Sequence, residues 1–313
     1  MAKSEEQTKS EYIDHVPTYH TDKQAQYVLP NGSPEHTRLE TQARHLSAIM
    51  NGRIIHSPIN KANVRRILDV GCGTGIVTDY LAREYTAAEA IGVDLSPVPT
   101  FRDRPSNVRF VQGNILTEKP SAWLSSGDSD SSREALPDTQ AFDLIYSRLL
   151  ICGLNDWPGY LHTSYSLLKP GGWAEVHDLD WIWYDKNDKV ISEDWPWWRR
   201  LRSAGEARGL DITGGSRTQQ WMKDAGFVDV QVTTYRWPFG GQWETDEVWR
   251  EFGDYVSRVM VDMLWHLIPR LMEGQEGVTA EVIDRMREDM KRDFAPEEGK
   301  HWVFYVTCGR KPE

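Results

Sequence analysis

Asp69-Val70-Gly71-Cys72-Gly73-Thr74-Gly75 is the stretch of this chain that decides its fold. A short apolar run, 66–70, leads into it, and the residues after it, 76–85, have the apolar spacing of a helix. Alternate glycines leave no Cβ between the backbone and a ligand, and the first turn of a helix offers free N–H groups. The pattern therefore predicts a strand, a ligand-binding turn and a helix in succession.

A carboxylate on the next predicted strand indicates the kind of ligand. Asp94 ends the run 90–94, nineteen residues after Gly75, where a carboxylate can accept hydrogen bonds from both ribose hydroxyls. Dinucleotide-binding proteins carry G-x-G-x-x-G, whereas here Ile76 follows the third glycine. Asp69, just before the turn, would repel a pyrophosphate but suits an ammonium group. These departures favour S-adenosylmethionine over a nicotinamide dinucleotide.

Strands and helices alternate through most of the chain, which predicts a mainly parallel sheet covered on both faces. A helix is predicted from Ser33 to about residue 50, and a long helical insertion over about 244–294. The Ser- and Asp-rich stretch 121–140 is predicted to be a solvated insertion. The remaining predicted strands are 108–112, 142–146, 173–177, 228–235 and 302–308.

Composition excludes several function classes. The chain has 313 residues, with 36 Lys and Arg against 47 Asp and Glu, for a net charge of −11. Binding of nucleic acids and of anionic membranes depends largely on clustered Lys and Arg side chains. Because this chain carries a net negative charge, no nucleic-acid or membrane partner is expected. No apolar run reaches about 18 residues, so no membrane span is predicted. Cys72, Cys152 and Cys308 are too scattered for disulfides or a metal site, and they indicate a reduced, cytoplasmic protein, with the nucleus as the alternative.

The turn and its neighbours resemble the motifs of a known family. Residues 67–75, together with Ile91-Gly92-Val93-Asp94-Leu95-Ser96, are similar to motif I and the second-strand motif of class I S-adenosylmethionine-dependent methyltransferases. Residues 168–175 resemble the turn before that family's fifth strand, and the last two predicted strands resemble its terminal hairpin. The resemblance implies an α/β, Rossmann-like sheet of seven strands in the order 3-2-1-4-5-7-6. It also implies an N-terminal helical cap and a helical insertion between strands six and seven.

A narrower resemblance covers about residue 27 to the C-terminus. It is to the fungal LaeA-like methyltransferases of secondary metabolism, and the segments that carry it are Leu29-Pro30-Asn31, Arg38-Leu39-Glu40, Asp156-Trp157-Pro158, His177-Asp178-Leu179-Asp180 and Gly309-Arg310-Lys311-Pro312. The domain organisation expected from it is a flexible tail, 1–26, and one methyltransferase domain, 27–313. Within that domain we expect a helical cap (27–60), a cofactor-binding core (61–180) and two substrate-side lid insertions (181–217 and 237–300).

The resemblance implies twelve cofactor-binding residues. The third-strand motif at residues 112–115 has Asn where the family usually has Asp, and an Asn side chain can still accept from the adenine amino group. The end of the fourth strand is expected beside the methionine portion, and the N-terminal helix closes over the cofactor in the family. The residues are Arg38, Asp69, Gly71, Cys72, Gly73, Gly75, Asp94, Leu95, Asn114, Ile115, Ser147 and Arg148.

His177 and Asp178 are the candidate catalytic residues because they follow the predicted fifth strand, at the sheet edge where an acceptor would lie. A hydroxyl acceptor benefits from a base, and histidine, with an ordinary pKa of about 6.5, suits that task. An amine or thiolate acceptor needs little beyond positioning. The alternative is that His177 is a strand-end residue with a structural role only.

Tryptophan is unevenly distributed. None of the fourteen precedes Trp123, and twelve lie at or after Trp173. The cluster within 181–198 directly follows the predicted fifth strand, where indoles could form a lid over a flat or apolar substrate. The alternative is that these side chains simply fill the core.

Together these patterns predict methyl transfer from S-adenosylmethionine to an oxygen, nitrogen or sulfur atom of an aromatic or apolar small molecule in secondary metabolism. One alternative is a LaeA-like regulatory methyltransferase that acts in a protein complex, although no feature of the sequence indicates a protein partner. The other is a methyltransferase-fold protein that catalyses a cyclisation without methylating. No metal is expected.

Overall fold

The computed structural model describes residues 16–125 and 136–313. The strands are β1 (Arg66–Val70), β2 (Glu89–Asp94), β3 (Val108–Gln112), β4 (Leu124–Ser125), β5 (Phe142–Arg148), β6 (Leu168–Leu179), β7 (Val228–Pro238) and β8 (His301–Arg310). The α-helices are α1 (Ser33–Ile49), α2 (Ile76–Glu84), α3 (Trp157–Leu167), α4 (Pro196–Glu206), α5 (Gly214–Asp224), α6 (Glu247–Met272) and α7 (Ala280–Asp293).

All eight strands form one sheet, in the order β4-β3-β2-β1-β5-β6-β8-β7. The strands from β3 to β6 in this order are parallel, and β8 runs antiparallel between β6 and β7. Without the two-residue β4, this is the predicted seven-strand order with the last strand inserted between the fifth and sixth, so the predicted fold class is confirmed. β4 falls inside the predicted insertion 121–140, of which residues 126–135 lie outside the described part of the chain.

The central strands are buried on both faces. In β1, the adjacent residues Ile67 and Leu68 are both fully buried, and they point to opposite faces because side chains alternate along a strand. Leu68 belongs to the larger of two apolar clusters and Ile67 to the smaller. The uninterrupted apolar runs that the sequence shows at these strands follow from this double burial.

The predicted helical cap and helical insertion are both present as elements. α1 precedes the sheet in the chain, and α6 and α7 lie between β7 and β8. α6 packs on α1, where the Tyr255 hydroxyl donates to the Arg38 carbonyl at 3.2 Å and the Tyr255 ring stacks on His45. The insertion therefore covers the cap rather than extending away from the sheet.

The segment before α1 has no helix or strand in its described part, residues 16–32. Residues 1–15 of the predicted flexible tail lie outside the described residues, so the flexibility of 1–26 stays a prediction. Several of its described residues make specific contacts; for example, His20 hydrogen-bonds to the Tyr27 carbonyl, and Asp22 accepts from Asn114. Among the described residues, no helix is long and apolar enough to cross a membrane.

Candidate active site

A cavity of about 430 Å³ lies at the carboxyl ends of the parallel strands, which all reach the same sheet edge. This is the edge at which open α/β sheets bind their ligands. Ten of the twelve predicted cofactor-binding residues contribute to its wall: Arg38, Asp69, Gly71, Cys72, Gly73, Asp94, Leu95, Asn114, Ile115 and Arg148. Gly75 and Ser147 are the two that do not.

The glycine turn has positions at which a side chain would not fit. Gly71 and Gly73 have φ values of 67° and 56°, in the left-handed region that favours glycine. A Cβ at Gly71 would lie 2.5 Å from Leu150, and one at Gly73 would lie 3.1 Å from Leu39. Gly75, with a φ of 74°, ends the turn and directly precedes the first residue of α2. Gly75 therefore turns the chain into the helix, while Gly71 and Gly73 form the cradle.

Asp94 is fixed beside this cradle by two backbone hydrogen bonds. One carboxylate oxygen accepts from the Gly73 N–H and the other from the Ser96 N–H, both at 2.9 Å. Burial raises the pKa of Asp94, and these two hydrogen bonds oppose the rise. Each carboxylate oxygen has a further lone pair, so the side chain can still accept from a diol at the cavity wall.

Asp69 lies deeper, at the end of β1. It accepts a hydrogen bond of 2.6 Å from the Thr78 hydroxyl, and burial raises its pKa to about 7 despite the nearby Arg148 guanidinium. A positively charged ligand group beside Asp69 would favour the ionised carboxylate. The environment therefore fits an ammonium group at this point of the wall.

Asn114 is already engaged by a residue that sequence reasoning missed. Its amide nitrogen donates to Asp22 at 2.9 Å, and its amide oxygen accepts from the Leu116 N–H. A second link joins the same N-terminal segment to the cofactor side, where Asn31 donates to the Ser96 hydroxyl at 3.1 Å. The segment carries no periodic pattern, and its one recognised motif, Leu29-Pro30-Asn31, indicates the family rather than a place on the cavity wall.

Arg38 lines the cavity as half of a buried ion pair. Its guanidinium donates twice to the Glu35 carboxylate, at 2.8 and 2.5 Å, and Glu35 also lines the cavity. Sequence reasoning singled out Arg38 alone, although the spacing of three residues on a helix would allow the pair to be predicted.

The structure corrects the predicted placement of His177 and Asp178. Both are buried, and neither contributes to the cavity wall. β6 continues to Leu179, two residues past the predicted strand end, and pairs with β8 as far as Leu179 with Phe304. Leu179 and Trp181 therefore reach the sheet edge that the sequence assigned to His177.

Both side chains are held inside the sheet by hydrogen bonds. His177 contacts the Glu175 carboxylate through Nε2 at 2.6 Å and the Tyr146 hydroxyl through Nδ1 at 3.3 Å. Asp178 accepts from the Leu150 and Leu179 N–H groups, and burial raises its pKa to about 8. Neither residue is placed to touch a ligand in the cavity.

The end of the cavity away from the glycine turn is apolar. Side chains from β6, β7, α6, β8 and the segment after β6 form it: Leu179, Trp181, Trp237, Met260, Met263 and Trp302. Of the predicted lid cluster within 181–198, Trp181 is the tryptophan on the wall. Trp183 and Trp198 instead pack edge to face in the core, with centroids 4.7 Å apart. The lid prediction therefore applies to one indole of the cluster, and the packing alternative applies to most of the rest.

A family model described as a methyltransferase domain matches residues 39–232. The chain belongs to this methyltransferase family. The match runs from within α1 to within β7, so it includes the glycine turn and most of the cavity wall. It confirms the predicted S-adenosylmethionine-dependent methyltransferase.

Relatives of known name match almost the whole chain. The secondary metabolism regulator LAE1 of Cochliobolus heterostrophus is 27% identical, with 88% of this chain and 90% of the relative aligned. The methyltransferase pytC of Aspergillus terreus is 29% identical, with 95% of this chain and 87% of the relative aligned. These similarities confirm the resemblance to the LaeA-like methyltransferases.

Among solved structures, the chain is similar to phosphoethanolamine N-methyltransferase 2 of Haemonchus contortus in complex with S-adenosyl-L-methionine. The TM-score is 0.46 at 16% identity, and the match covers 87% of this chain and 53% of that protein. This chain thus spans about half the length of that protein.

Proposed function

We propose that this methyltransferase transfers a methyl group from S-adenosylmethionine to an oxygen, nitrogen or sulfur atom of an aromatic or apolar small molecule. The observation that carries the proposal is the division of one cavity into two chemically different ends. Glycines and carboxylates form one end, and indole and thioether side chains form the other. A polar donor and a flat apolar acceptor would each find a matching surface.

The cofactor end fits S-adenosylmethionine in shape and charge. A Cβ at Gly71 would contact Leu150 and one at Gly73 would contact Leu39, so both positions favour glycine, and a ligand can approach the bare backbone of the cavity wall there. When bound, S-adenosylmethionine supplies a methyl group on a positively charged sulfur atom. In our proposal Asp94 accepts from the ribose hydroxyls, Asp69 faces the ammonium group and Asn114 lies beside the adenine.

The acceptor end favours a flat or apolar molecule. Trp181, Trp237 and Trp302 offer aromatic faces, and Met260 and Met263 are adaptable apolar contacts. Exclusion of water by such a wall strengthens the electrostatic interactions around a reaction that neutralises a cation. We therefore propose that parts of the segments 181–217 and 237–300 form the acceptor side.

A regulatory role is the second candidate, because the relative from Cochliobolus heterostrophus is named a secondary metabolism regulator. Such a protein would act with partner proteins. The two candidates differ in whether the isolated chain methylates a small molecule, which a single assay decides.

That assay uses the purified full chain with S-adenosylmethionine and a panel of phenols, aromatic amines and aromatic thiols. We expect release of S-adenosylhomocysteine together with a methylated product, both measured by mass spectrometry. Product formation without S-adenosylhomocysteine would instead indicate a non-methylating reaction. Absence of transfer to every acceptor, by a chain that binds S-adenosylhomocysteine in calorimetry, would contradict the proposal.

A matched pair of variants tests the acceptor end. Trp237 lies on the wall, whereas Trp243 is exposed at the protein surface. Trp237→Phe should raise the KM for the acceptor several-fold without changing S-adenosylhomocysteine binding, and Trp243→Phe should change neither. Equal effects of the two substitutions would remove Trp237 from the acceptor site.

A further inference from the structure

A buried row of polar side chains lies behind the cavity wall. Tyr146 contributes to the wall, and its hydroxyl oxygen is 3.3 Å from Nδ1 of His177. His177 Nε2 is 2.6 Å from Glu175, and the backbone N–H groups of His56 and Ser57 donate to the same carboxylate at 2.8 and 2.7 Å. Glu175 and His177 are 0% and 1% exposed, so the row is screened from bulk water.

Glu175 determines which nitrogen of His177 carries the proton. A carboxylate only accepts hydrogen bonds, so the hydrogen of the 2.6 Å contact belongs to Nε2. A neutral imidazole protonated at Nε2 has its lone pair at Nδ1, which accepts the Tyr146 hydroxyl hydrogen. The Tyr146 oxygen can then accept up to two hydrogen bonds; the side chain of Arg148, another wall residue, interacts with it, which leaves one lone pair for a donor in the cavity.

We propose that Tyr146 is a catalytic residue that takes the proton of a hydroxyl acceptor, with His177 and Glu175 as the positioning residues behind it. The proposal rests on the proposed function and narrows it to an oxygen acceptor. The arrangement has the order of a nucleophile–base–orienter triad, in which the third member holds the imidazole in one tautomer. Here the first member receives a proton instead of attacking.

The proposed step balances in atoms and charge. The acceptor oxygen bonds to the methyl carbon, and the carbon–sulfur bond breaks with its electron pair on sulfur, which becomes a neutral thioether. The acceptor proton passes to the Tyr146 oxygen while the Tyr146 proton passes to His177 Nδ1. The positive charge that disappears at sulfur is now on the imidazolium, where the Glu175 carboxylate stabilises it. After product release, the proton returns through Tyr146 to water in the cavity.

The surroundings keep each member in the required state. Burial raises the pKa of Tyr146, so its hydroxyl stays protonated near neutral pH. Burial lowers the pKa of His177, and the Glu175 carboxylate raises it by less. The pKa of His177 therefore lies below its ordinary value, and the resting imidazole is neutral. The charged and titratable groups that bear on the row from neighbouring elements are Asp69, Arg148, His56, Tyr85, Tyr235 and Cys308.

The same side chains could also be read as a metal site, because ligand atoms of His56, Glu175 and His177 lie within 4.8 Å of one another. The contact between His177 Nε2 and Glu175 measures 2.6 Å. Two ligands of a tetrahedral zinc ion, with bonds of about 2.0 Å, would be about 3.3 Å apart. The short contact therefore fits a hydrogen bond between His177 and Glu175 rather than two ligands of one metal ion.

The first test needs no acceptor. Nitrogen-15 spectra of the histidine-labelled full chain, with His177→Gln to assign the signals, report the proton position on His177. We expect the proton on Nε2 at about pH 7, and Tyr146→Phe should shift the Nδ1 signal towards that of a nitrogen without a hydrogen bond. Tyr235→Phe is the matched control, since it removes a hydroxyl that lies 2.7 Å from His56 Nε2.

Two results of these spectra, and one result of a metal analysis of the same chain, would overturn the relay. The first is a proton on Nδ1, and the second is an Nδ1 signal that Tyr146→Phe leaves unchanged. The third is stoichiometric zinc in the purified chain that is lost in His56→Ala, because zinc would replace the hydrogen bond between His177 and Glu175.

The second test measures rates with a phenol that the wild-type chain methylates. Tyr146→Phe should lower kcat about 100-fold, the typical size of a general acid–base contribution, with little change in KM. In the wild type, kcat should fall as the pH falls through the pKa of His177, because the imidazolium cannot accept a proton. This acid limb should be absent in Tyr146→Phe and retained in Tyr235→Phe.

The outcomes separate this proposal from the proposed function. An unchanged kcat in Tyr146→Phe, or an equal loss in Tyr235→Phe, would overturn the relay. Transfer by the wild type to amines or thiols alone would overturn the relay and leave the proposed function standing. Transfer to no acceptor at all would overturn the proposed function, and the histidine spectra would still decide the hydrogen-bond arrangement.

Discussion

The two ends of the cavity are built on different principles. The cofactor end consists of backbone turns and carboxylates at strand ends, such as Gly71 and Asp94, whose positions follow from local sequence. The acceptor end consists of large side chains, such as Trp181, Trp237 and Met260, which come together only when separate elements pack. Sequence motifs locate the wall residues of the first end because their geometry is local, and they do not locate most of those of the second because its geometry is tertiary.

The largest effect is expected from a tryptophan that the sequence grouped with the lid but that lies in the core. Trp183 is 1% exposed and packs on Trp198 and Trp302 at centroid distances of 4.7 and 4.5 Å. Trp183→Ala should lower the free energy of unfolding by about 3 to 5 kcal/mol, because it leaves a large cavity. Urea denaturation followed by circular dichroism measures the change.

The control for this variant is Trp243→Ala, since Trp243 is 38% exposed. It should change the free energy of unfolding by about 0.5 kcal/mol or less. A stability loss for Trp183→Ala as small as that of Trp243→Ala, together with a raised acceptor KM, would mean that Trp183 belongs to the acceptor wall after all.

The next effect in size concerns the cofactor end. Asp94→Ala should weaken S-adenosylhomocysteine binding by about 10- to 100-fold, because one or two hydrogen bonds to a charged group are lost. Asp94→Asn keeps one acceptor for the Gly73 or Ser96 N–H and should give an intermediate loss. Calorimetry with the full chain measures both. An unchanged affinity in Asp94→Ala would remove Asp94 from the binding site.

The strand order was predictable because the motifs resemble a family with that order, and the position of the cavity because parallel strands bring their carboxyl ends to one sheet edge. The placement of His177 was not, since it depended on where β6 ends. The predicted strand stopped at His177, whereas pairing with β8 continues it to Leu179. Because β6 is two residues longer than predicted, His177 lies in the hydrogen-bonded row behind Tyr146 rather than at the sheet edge.

The tryptophans show the same limit of prediction from sequence. Their uneven distribution is visible in the composition, but the division between wall and core is not. Trp181 and Trp183 are two residues apart, yet one lines the cavity and the other packs in the core. Trp302 reaches the wall from β8, more than a hundred residues later in the chain. No local pattern joins these positions, because only tertiary packing brings them together.

A smaller, pH-dependent effect is expected at Asp69. Its pKa of about 7 means that the carboxyl is protonated below that pH and ionised above it. Binding of a ligand that carries an ammonium group should therefore strengthen as the pH rises towards about 7, by at most tenfold per pH unit, and level off above it. Because this pKa is raised on folding, Asp69 also makes the chain less stable as the pH rises from about 4 to about 7.

Asp69→Asn is the matched variant, since its amide oxygen can still accept from Thr78. Isothermal titrations with S-adenosylmethionine across this pH range should show a flatter dependence for Asp69→Asn than for the wild type. Identical pH dependence in the two proteins would place the ammonium group elsewhere on the wall.

The smallest effect is expected where the cofactor end itself depends on a tertiary contact. Asp22 accepts from the Asn114 amide; partial burial raises the pKa of the Asp22 carboxyl, but hydrogen bonds from the Gln24 N–H and the Asn114 amide lower it below its usual value. Asp22→Ala should weaken S-adenosylhomocysteine binding by about threefold or less, since one partly exposed hydrogen bond contributes little. Asp22→Asn keeps an acceptor oxygen and should bind as the wild type does. A loss in Asp22→Ala as large as that in Asp94→Ala would show that the N-terminal segment, rather than the strand ends alone, determines cofactor affinity, and the contrast between a local and a tertiary end would no longer hold.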